Sequence, residues 1–191
     1  MNARTIDGVN HSFALVAALA AALPIAAPSA ASAANEPAAT CATIAAYHRL
    51  DFWIGSWNAY DRKGRALGSD VVSSILAGCA VQEYWTDADG SHGLGIIYYN
   101  NFTNQWSKLY LSERSNLRGG MTQRVLVAEF PDVGVRFEGV VPGPVGESRV
   151  VDRTTIRPLP DGRIHYEKEI TKDGGDRWVT TFEAFYVRAN V

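Results

Sequence analysis

The chain has 191 residues, of which 47% are hydrophobic and 20% are charged, and its formal net charge at pH 7 is -2. A net charge this close to zero gives no electrostatic support for binding to nucleic acid or an anionic membrane, so neither is predicted as a partner. Once a predicted N-terminal targeting segment is subtracted, the remaining length suits one domain built around one hydrophobic core.

The first element along the chain is a predicted secretion signal. Residues 1–11 carry a single arginine, Arg4, and an uncharged run rich in Ala and Leu follows from Ser12 to Asn35. The apolar centre of this run, residues 13–23, is about half as long as the roughly 20 residues that span a bilayer as a helix. We therefore predict a cleavable signal and no stable membrane insertion.

Small residues at positions 31–33 match the A-x-A pattern that signal peptidase accepts. This pattern predicts cleavage after Ala33, with Ala30 as the second choice, and a mature protein that is periplasmic or secreted. The predicted organisation is a signal peptide at 1–33, a flexible segment at 34–42 and the mature domain at 43–191.

The two cysteines of the chain, Cys41 and Cys79, both follow the predicted cleavage site. An even pair of cysteines in an oxidising compartment favours a disulfide over two free thiols. Such a bridge would tie the N-terminal segment to the domain and stabilise it by a few kcal/mol in the chain-entropy model. Lipid attachment at Cys41 is a weaker alternative, because the apolar run ends well before it.

One short helix, followed only by strands, is predicted in the mature domain. Ile44, Tyr47, Leu50 and Ile54 recur at three- and four-residue spacing, which favours a helix over about 43–53. Apolar and polar residues then alternate, and frequent turn sequences divide the chain into about nine or ten strands. These features predict an all-β fold, a single antiparallel meander that closes into a barrel, with a β-sandwich as the alternative.

The two ends of the predicted barrel carry a glycine–aromatic motif and an arginine. The first strand opens with Gly55-Ser56-Trp57, and the last predicted strand ends at Arg188. In lipocalin-like barrels, a G-x-W motif opens the first strand, and an arginine of the last strand lies across the indole by cation–π packing. Trp57 and Arg188 resemble this barrel-closing pair.

Longer motifs extend this likeness along nearly all of the mature chain. They are an LDFWIGxW opening within residues 48–57, a GCxxxExW strand within 75–85, a PLPDGR hairpin at 158–163 and a closing YVR at 186–188. With these motifs the chain resembles a family of exported bacterial domains of uncharacterised function. The resemblance implies a calycin-type, lipocalin-like barrel and no established reaction.

The alternation along the strands predicts which side chains face the barrel interior. Residues two apart share a face, and the burial preference of Val81 and Trp85 therefore turns Glu83 inward with them. The same rule places the even-numbered residues of 178–188 on one face. An aromatic cavity with one carboxylate and one ammonium is typical of a small-molecule site. The predicted ligand-binding residues are Glu83, Trp85, Trp106, Lys108 and Tyr110.

Hypotheses from different functional classes follow from this interior. The favoured one is a barrel that binds a small apolar or amphipathic molecule. The second is an isomerase- or hydratase-like enzyme with Glu83 as general acid or base. The third is a structural envelope protein with a filled barrel, in which Glu83 pairs with Lys108, Arg153 or a backbone amide.

Other kinds of site have little support in the sequence. His48, His92 and His165 have spacings that match no metal motif, and a surface position for His165 is favoured over a role as haem ligand. Neither a metal nor a cofactor is predicted. The charged run at 167–169, Glu-Lys-Glu, predicts a solvated strand face.

Overall fold

Ten antiparallel strands, each hydrogen-bonded to the next along the chain, form a closed barrel in the part of the chain that the structure describes. This computed structural model describes residues 40–114, 121–142 and 149–190. The first and last strands pair with each other, which confirms the predicted closed meander. The strands are β1 (Gly55–Tyr60), β2 (Ala66–Ile75), β3 (Ala80–Asp87), β4 (His92–Asn100), β5 (Gln105–Ser112), β6 (Met121–Glu129), β7 (Val135–Pro142), β8 (Arg149–Pro158), β9 (Ile164–Thr171) and β10 (Val179–Arg188).

Four of the hairpins share the same local hydrogen bond. In each, an aspartate carboxylate accepts a hydrogen bond from the backbone N–H two residues later, an arrangement that stabilises a tight turn. The β1–β2, β3–β4, β6–β7 and β8–β9 turns use, respectively, Asp61 with Lys63, Asp89 with Ser91, Asp132 with Gly134 and Asp161 with Arg163. Local side-chain chemistry therefore stabilises these turns.

The helical segment predicted over 43–53 is present as a series of short 3-10 helices, Cys41–Thr43, Ala45–His48 and Asp51–Trp53. The extended backbone of Ile44 separates the first two, which prevents a continuous α-helix. Trp53 has no exposed surface and packs in the core, so this segment covers one end of the barrel. Among the described residues, no helix is long and apolar enough to cross a membrane.

A disulfide joins Cys41 to Cys79 and confirms the predicted pair, with a Cα–Cα distance of 4.9 Å. It links the first 3-10 helix to the segment that follows the 3-10 helix Leu76–Gly78, between β2 and β3. The N-terminal segment is therefore covalently attached at the end of the barrel that it covers. The predicted signal peptide, 1–33, and positions 34–39 of the predicted flexible segment lie outside the described residues.

The motif at the start of β1 has a steric explanation. The Arg188 guanidinium carbon lies 4.1 Å from the centroid of the Trp57 ring, and its Nη1 donates a hydrogen bond to the Ile54 carbonyl oxygen at 2.9 Å. Gly55 has a φ of +150°, and a Cβ at this position would lie 1.8 Å from Arg188 Nη1. Only glycine leaves room for the arginine to cross the indole while keeping this backbone conformation.

The last strand contains an irregularity that overturns one prediction. The pairing of β10 with β9 shifts register between Thr180 and Phe182. The Arg153 guanidinium carbon lies 3.7 Å from the centroid of the Trp178 ring, and the Thr180 hydroxyl donates a hydrogen bond to Glu167. Both contacts are on the outer face of the barrel. The prediction that all even-numbered residues of 178–188 share the inner face is therefore wrong for 178 and 180, because a bulge reverses the alternation.

Removal of the disulfide should measure how far it stabilises the barrel. The bridge spans a sequence separation of 38 residues, for which the chain-entropy model gives about 3–4 kcal/mol. We expect the double substitution Cys41→Ser and Cys79→Ser to lower the free energy of unfolding by this amount in urea titrations. An unchanged unfolding midpoint would contradict the expectation.

Substitution of Gly55 should test the steric account of the motif. Gly55→Ala should lower the free energy of unfolding by about 1–3 kcal/mol, because it strains the backbone and displaces Arg188. Gly64→Ala is the matched control, since Gly64 has a φ of +80° and no atom within 4 Å of its added Cβ. In a double-mutant cycle with Arg188→Ala, only Gly55→Ala should show coupling, of about 0.5–1 kcal/mol.

Candidate functional site

A cavity of about 510 Å³ lies inside the barrel, toward the end opposite the N-terminal helices. Its outer part is lined by residues at strand ends, among them Asp87, His92 and Arg114, so its mouth lies at the β3–β4 hairpin and the end of β5. Trp53 and Trp57 close the other end of the barrel in a mainly apolar core. The inner wall comprises Glu83, Trp85, Tyr110, Arg124, Val141, Val150, Asp152, Tyr166, Lys168, Ile170, Phe182 and Tyr186.

The residues predicted to bind a ligand lie at three depths along the barrel. Glu83, Trp85 and Tyr110 line the cavity. Lys108 has no exposed surface and does not line the cavity, although its ammonium contacts the Glu83 carboxylate. Trp106 lies at the closed end, where its Nε1 donates a hydrogen bond to the Ala46 carbonyl oxygen at 3.2 Å. Trp106 therefore does not line this cavity, because residues that share a face of a strand differ in depth.

The ion pair of Glu83 and Lys108 is almost completely buried, with side-chain exposures of 3% and 0%. Lys108 Nζ also donates a hydrogen bond to the Tyr166 hydroxyl at 3.2 Å and lies 4.9 Å from the centroid of the Trp53 ring. On β4, Gly95 makes this possible, since a Cβ there would lie 2.4 Å from Glu83 Oε2. The pair satisfies two charges that would be costly to bury separately.

Asp70 is a second buried acid, and the sequence patterns did not predict it as a site residue. It is 1% exposed, and neither of its carboxyl oxygens has a hydrogen-bond partner within the part of the chain that the structure describes. Burial, and next the negative charge of Glu83, raise the pKa of Asp70 well above its usual value. The neutral, protonated form is therefore favoured in the folded protein.

A second ion pair lies in the cavity wall, between Arg124 on β6 and Asp152 on β8. Arg124 is 3% exposed, and its Nη1 also donates a hydrogen bond to the Thr122 hydroxyl at 2.8 Å. Neither member of this pair is among the site residues predicted from the sequence. The alternation of the strands could have indicated them, because each lies an even number of residues from an apolar residue that faces the interior.

Lys168 of β9 faces the cavity, which corrects the prediction of a solvated face at 167–169. Its Nζ lies 4.6 Å from the centroid of the Tyr110 ring and 5.7 Å from those of Tyr166 and Phe182. Burial, and next the positive charge of Arg124, lower the pKa of Lys168 to about 8. The two flanking glutamates point outward, so only the acidic members of this run form a strand face outside the barrel.

The hydroxyl groups of the tyrosines in the cavity wall resist ionisation. Burial and the nearby carboxylates raise the pKa values of Tyr110, Tyr166 and Tyr186 above their usual range. Their hydroxyl groups therefore keep their protons at physiological pH and can serve as hydrogen-bond donors. Within the described ranges, no three His, Cys, Asp or Glu side chains come together in a group that could hold a metal ion.

Substitution of Asp70 should change how stability depends on pH. Because the native pKa of Asp70 is raised, the folded protein keeps a proton that the unfolded chain releases near its ordinary pKa of about 3.9. The wild-type stability supplied by this group is thus present below about pH 4 and is lost as pH rises toward the native pKa. We expect Asp70→Asn to gain stability relative to the wild type between pH 4 and pH 8, as measured by urea unfolding.

The control for this experiment is Asp173→Asn, at an exposed position. Hydrogen bonds, first from the Thr171 hydroxyl, lower the pKa of Asp173. The stability that Asp173 supplies is therefore lost only below about pH 4 and is constant above pH 5. A difference between Asp70→Asn and the wild type that does not vary from pH 4 to pH 8 would contradict the assignment.

Comparison of the chain with models of known protein families and with curated proteins gave no match. The resemblance to exported calycin-type domains therefore depends on the sequence motifs alone, and the candidate site on the geometry of the barrel interior.

Proposed function

We propose that this protein is an exported binding barrel that holds a small amphipathic molecule in the cavity opposite its N-terminal helices. The observation that carries the proposal is the cavity itself, of about 510 Å³. This volume falls within the range of roughly 300–1,000 Å³ that is usual for small-molecule sites. The cavity reaches the residues at the barrel mouth, where a ligand would enter.

The chemistry of the wall supports an amphipathic guest rather than a purely apolar one. Trp85 and Phe182 meet edge to face, with ring centroids 5.9 Å apart, and provide an apolar surface. Lys168 places a positive charge in the same cavity, and the Arg124–Asp152 ion pair adds polar groups to its wall. Apolar walls with a few polar groups that orient the guest are typical of ligand sites in barrels.

The proposed location outside the cytoplasm draws on two observations. The Cys41–Cys79 disulfide is consistent with an oxidising compartment, where such bonds persist. The N-terminal sequence has the apolar segment and the A-x-A pattern of a secretion signal. Together they support export, and the resemblance to exported calycin-type domains points the same way.

The alternative functions have less support from the geometry. A structural role predicts a filled barrel, whereas this barrel has open volume next to Glu83. The enzyme hypothesis needs a Glu83 carboxylate that is available to a substrate, but Lys108 occupies its Oε2 atom. Ligand binding uses the cavity without requiring that this ion pair open.

A neutral fluorophore should reveal the cavity. We expect Nile red to bind the purified mature protein saturably, in about one-to-one ratio, with a fluorescence increase. Ser112→Trp places an indole into the cavity and should weaken binding about tenfold or more. Leu111→Trp is the matched control, because Leu111 is 40% exposed on the other face of β5 and should leave binding unchanged.

Circular dichroism of both variants should show that the barrel is folded before binding is compared. Equal affinities of the two variants, or a wild-type protein that gives no saturable signal, would count against the proposed function. Trp106→Ala should retain binding, because Trp106 lies at the closed end.

A further inference from the structure

Lys168 is the charged group of the cavity that the rest of the structure does not explain. It is half-buried on β9, lines the cavity and is surrounded by the rings of Tyr110, Tyr166 and Phe182. Its ammonium forms no ion pair with any carboxylate of residues 40–114, 121–142 or 149–190. An ammonium withdrawn from water without an anionic partner is unfavourable, so the position calls for a function.

The other cations inside the barrel are already neutralised. Lys108 pairs with Glu83, and Arg124 pairs with Asp152. The remaining interior acid, Asp70, forms no ion pair with Lys168 within the described residues, and its raised pKa favours the uncharged form. Lys168 is therefore the interior cation that no carboxylate of the described residues pairs with.

We propose that the natural ligand is a monoanionic amphiphile whose carboxylate pairs with Lys168 while its apolar part packs against Trp85 and Phe182. This inference rests on the proposed function and specifies the ligand class of the same cavity. A carboxylate supplies one negative charge, which matches the one unpaired cation. A phosphate monoester carries about -1.5 to -2 at neutral pH and would leave excess negative charge inside the barrel.

The aromatic rings around Lys168 also bear on the sign of the ligand. Such rings can form a cage for a ligand cation. Here the ammonium of Lys168 already occupies this position, 4.6 Å from the Tyr110 ring centroid. A cationic ligand would be repelled by this ammonium, whereas an anionic ligand would be attracted to it.

Binding of an anion should depend on the protonation of Lys168. At pH 7 most of the molecules carry the ammonium form, since the pKa of Lys168 is about 8. The affinity for a carboxylate should fall as pH rises above about 8. The other charged or titratable groups that face Lys168 are Asp70, Glu83, Lys108, Tyr110, Arg124, Asp152, Tyr166 and Tyr186. Asp70→Asn separates the ionisation of Asp70 from that of Lys168, and the same fall in affinity should occur in that variant.

The test compares ligands that share one alkyl chain and differ in head group. Isothermal titration calorimetry with sodium decanoate, decanol, decyltrimethylammonium and decyl phosphate, each below its micelle concentration, should show decanoate binding at least tenfold more tightly than the other three. Lys168→Met should remove the preference for decanoate over decanol. Lys168→Arg should restore most of it, because the charge is kept.

The control variant is Lys63→Met, in the exposed β1–β2 turn, which should leave every affinity unchanged. Thermal unfolding should show that Lys168→Met is at least as stable as the wild type, because the substitution removes an unpaired charge from the interior. Equal binding of decanoate and decanol, a preference that survives Lys168→Met, or tighter binding of the cationic or phosphate probe would overturn this inference. If Nile red still binds in such a case, the proposed function stands alone, and if Nile red also fails to bind, both are overturned.

Discussion

The pairing of β1 with β10 is the constraint on which the rest of the structure depends. These strands are the two ends of the meander, and their hydrogen bonds convert an open sheet into a barrel with an interior. Arg188, laid across Trp57 with Gly55 beneath it, stabilises this closure outside the ladder of backbone hydrogen bonds. Closure leaves no free sheet edge and separates the enclosed side chains from bulk water.

Once the barrel is closed, a charge inside it is costly unless a partner compensates it at short range. Glu83 and Lys108 do this near the middle of the barrel, and Arg124 and Asp152 do it in the cavity wall. Asp70 avoids the problem by holding its proton. The interior thus has an apolar end around Trp53 and a polar middle that contains the ion pairs. The cavity lies between this polar middle and the solvent at the mouth.

The sequence predicts the fold better than it predicts the site. Alternation and turn residues were sufficient for an antiparallel barrel of about ten strands, and compartment chemistry was sufficient for the Cys41–Cys79 bridge. Alternation predicts which face of a strand a residue occupies, but not its depth along the barrel, so it does not separate Trp106 at the closed end from the residues that line the cavity. Nor does alternation predict the bulge that reverses the faces near Thr180. The inward position of Lys168 was not predicted either, because the two glutamates beside it suggested a solvated face. Which charges pair across the interior depends on strand order and register together.

The N-terminal segment and the cavity occupy opposite ends of the same barrel. The disulfide, the 3-10 helices and the Trp57–Arg188 contact all act at one end, whereas the β3–β4 hairpin lies at the other. Mutations that reshape the mouth therefore need not disturb the contacts that close the barrel. A fold divided in this way can diverge in ligand preference while its stability is conserved, because selection for binding and selection for folding act on different residues.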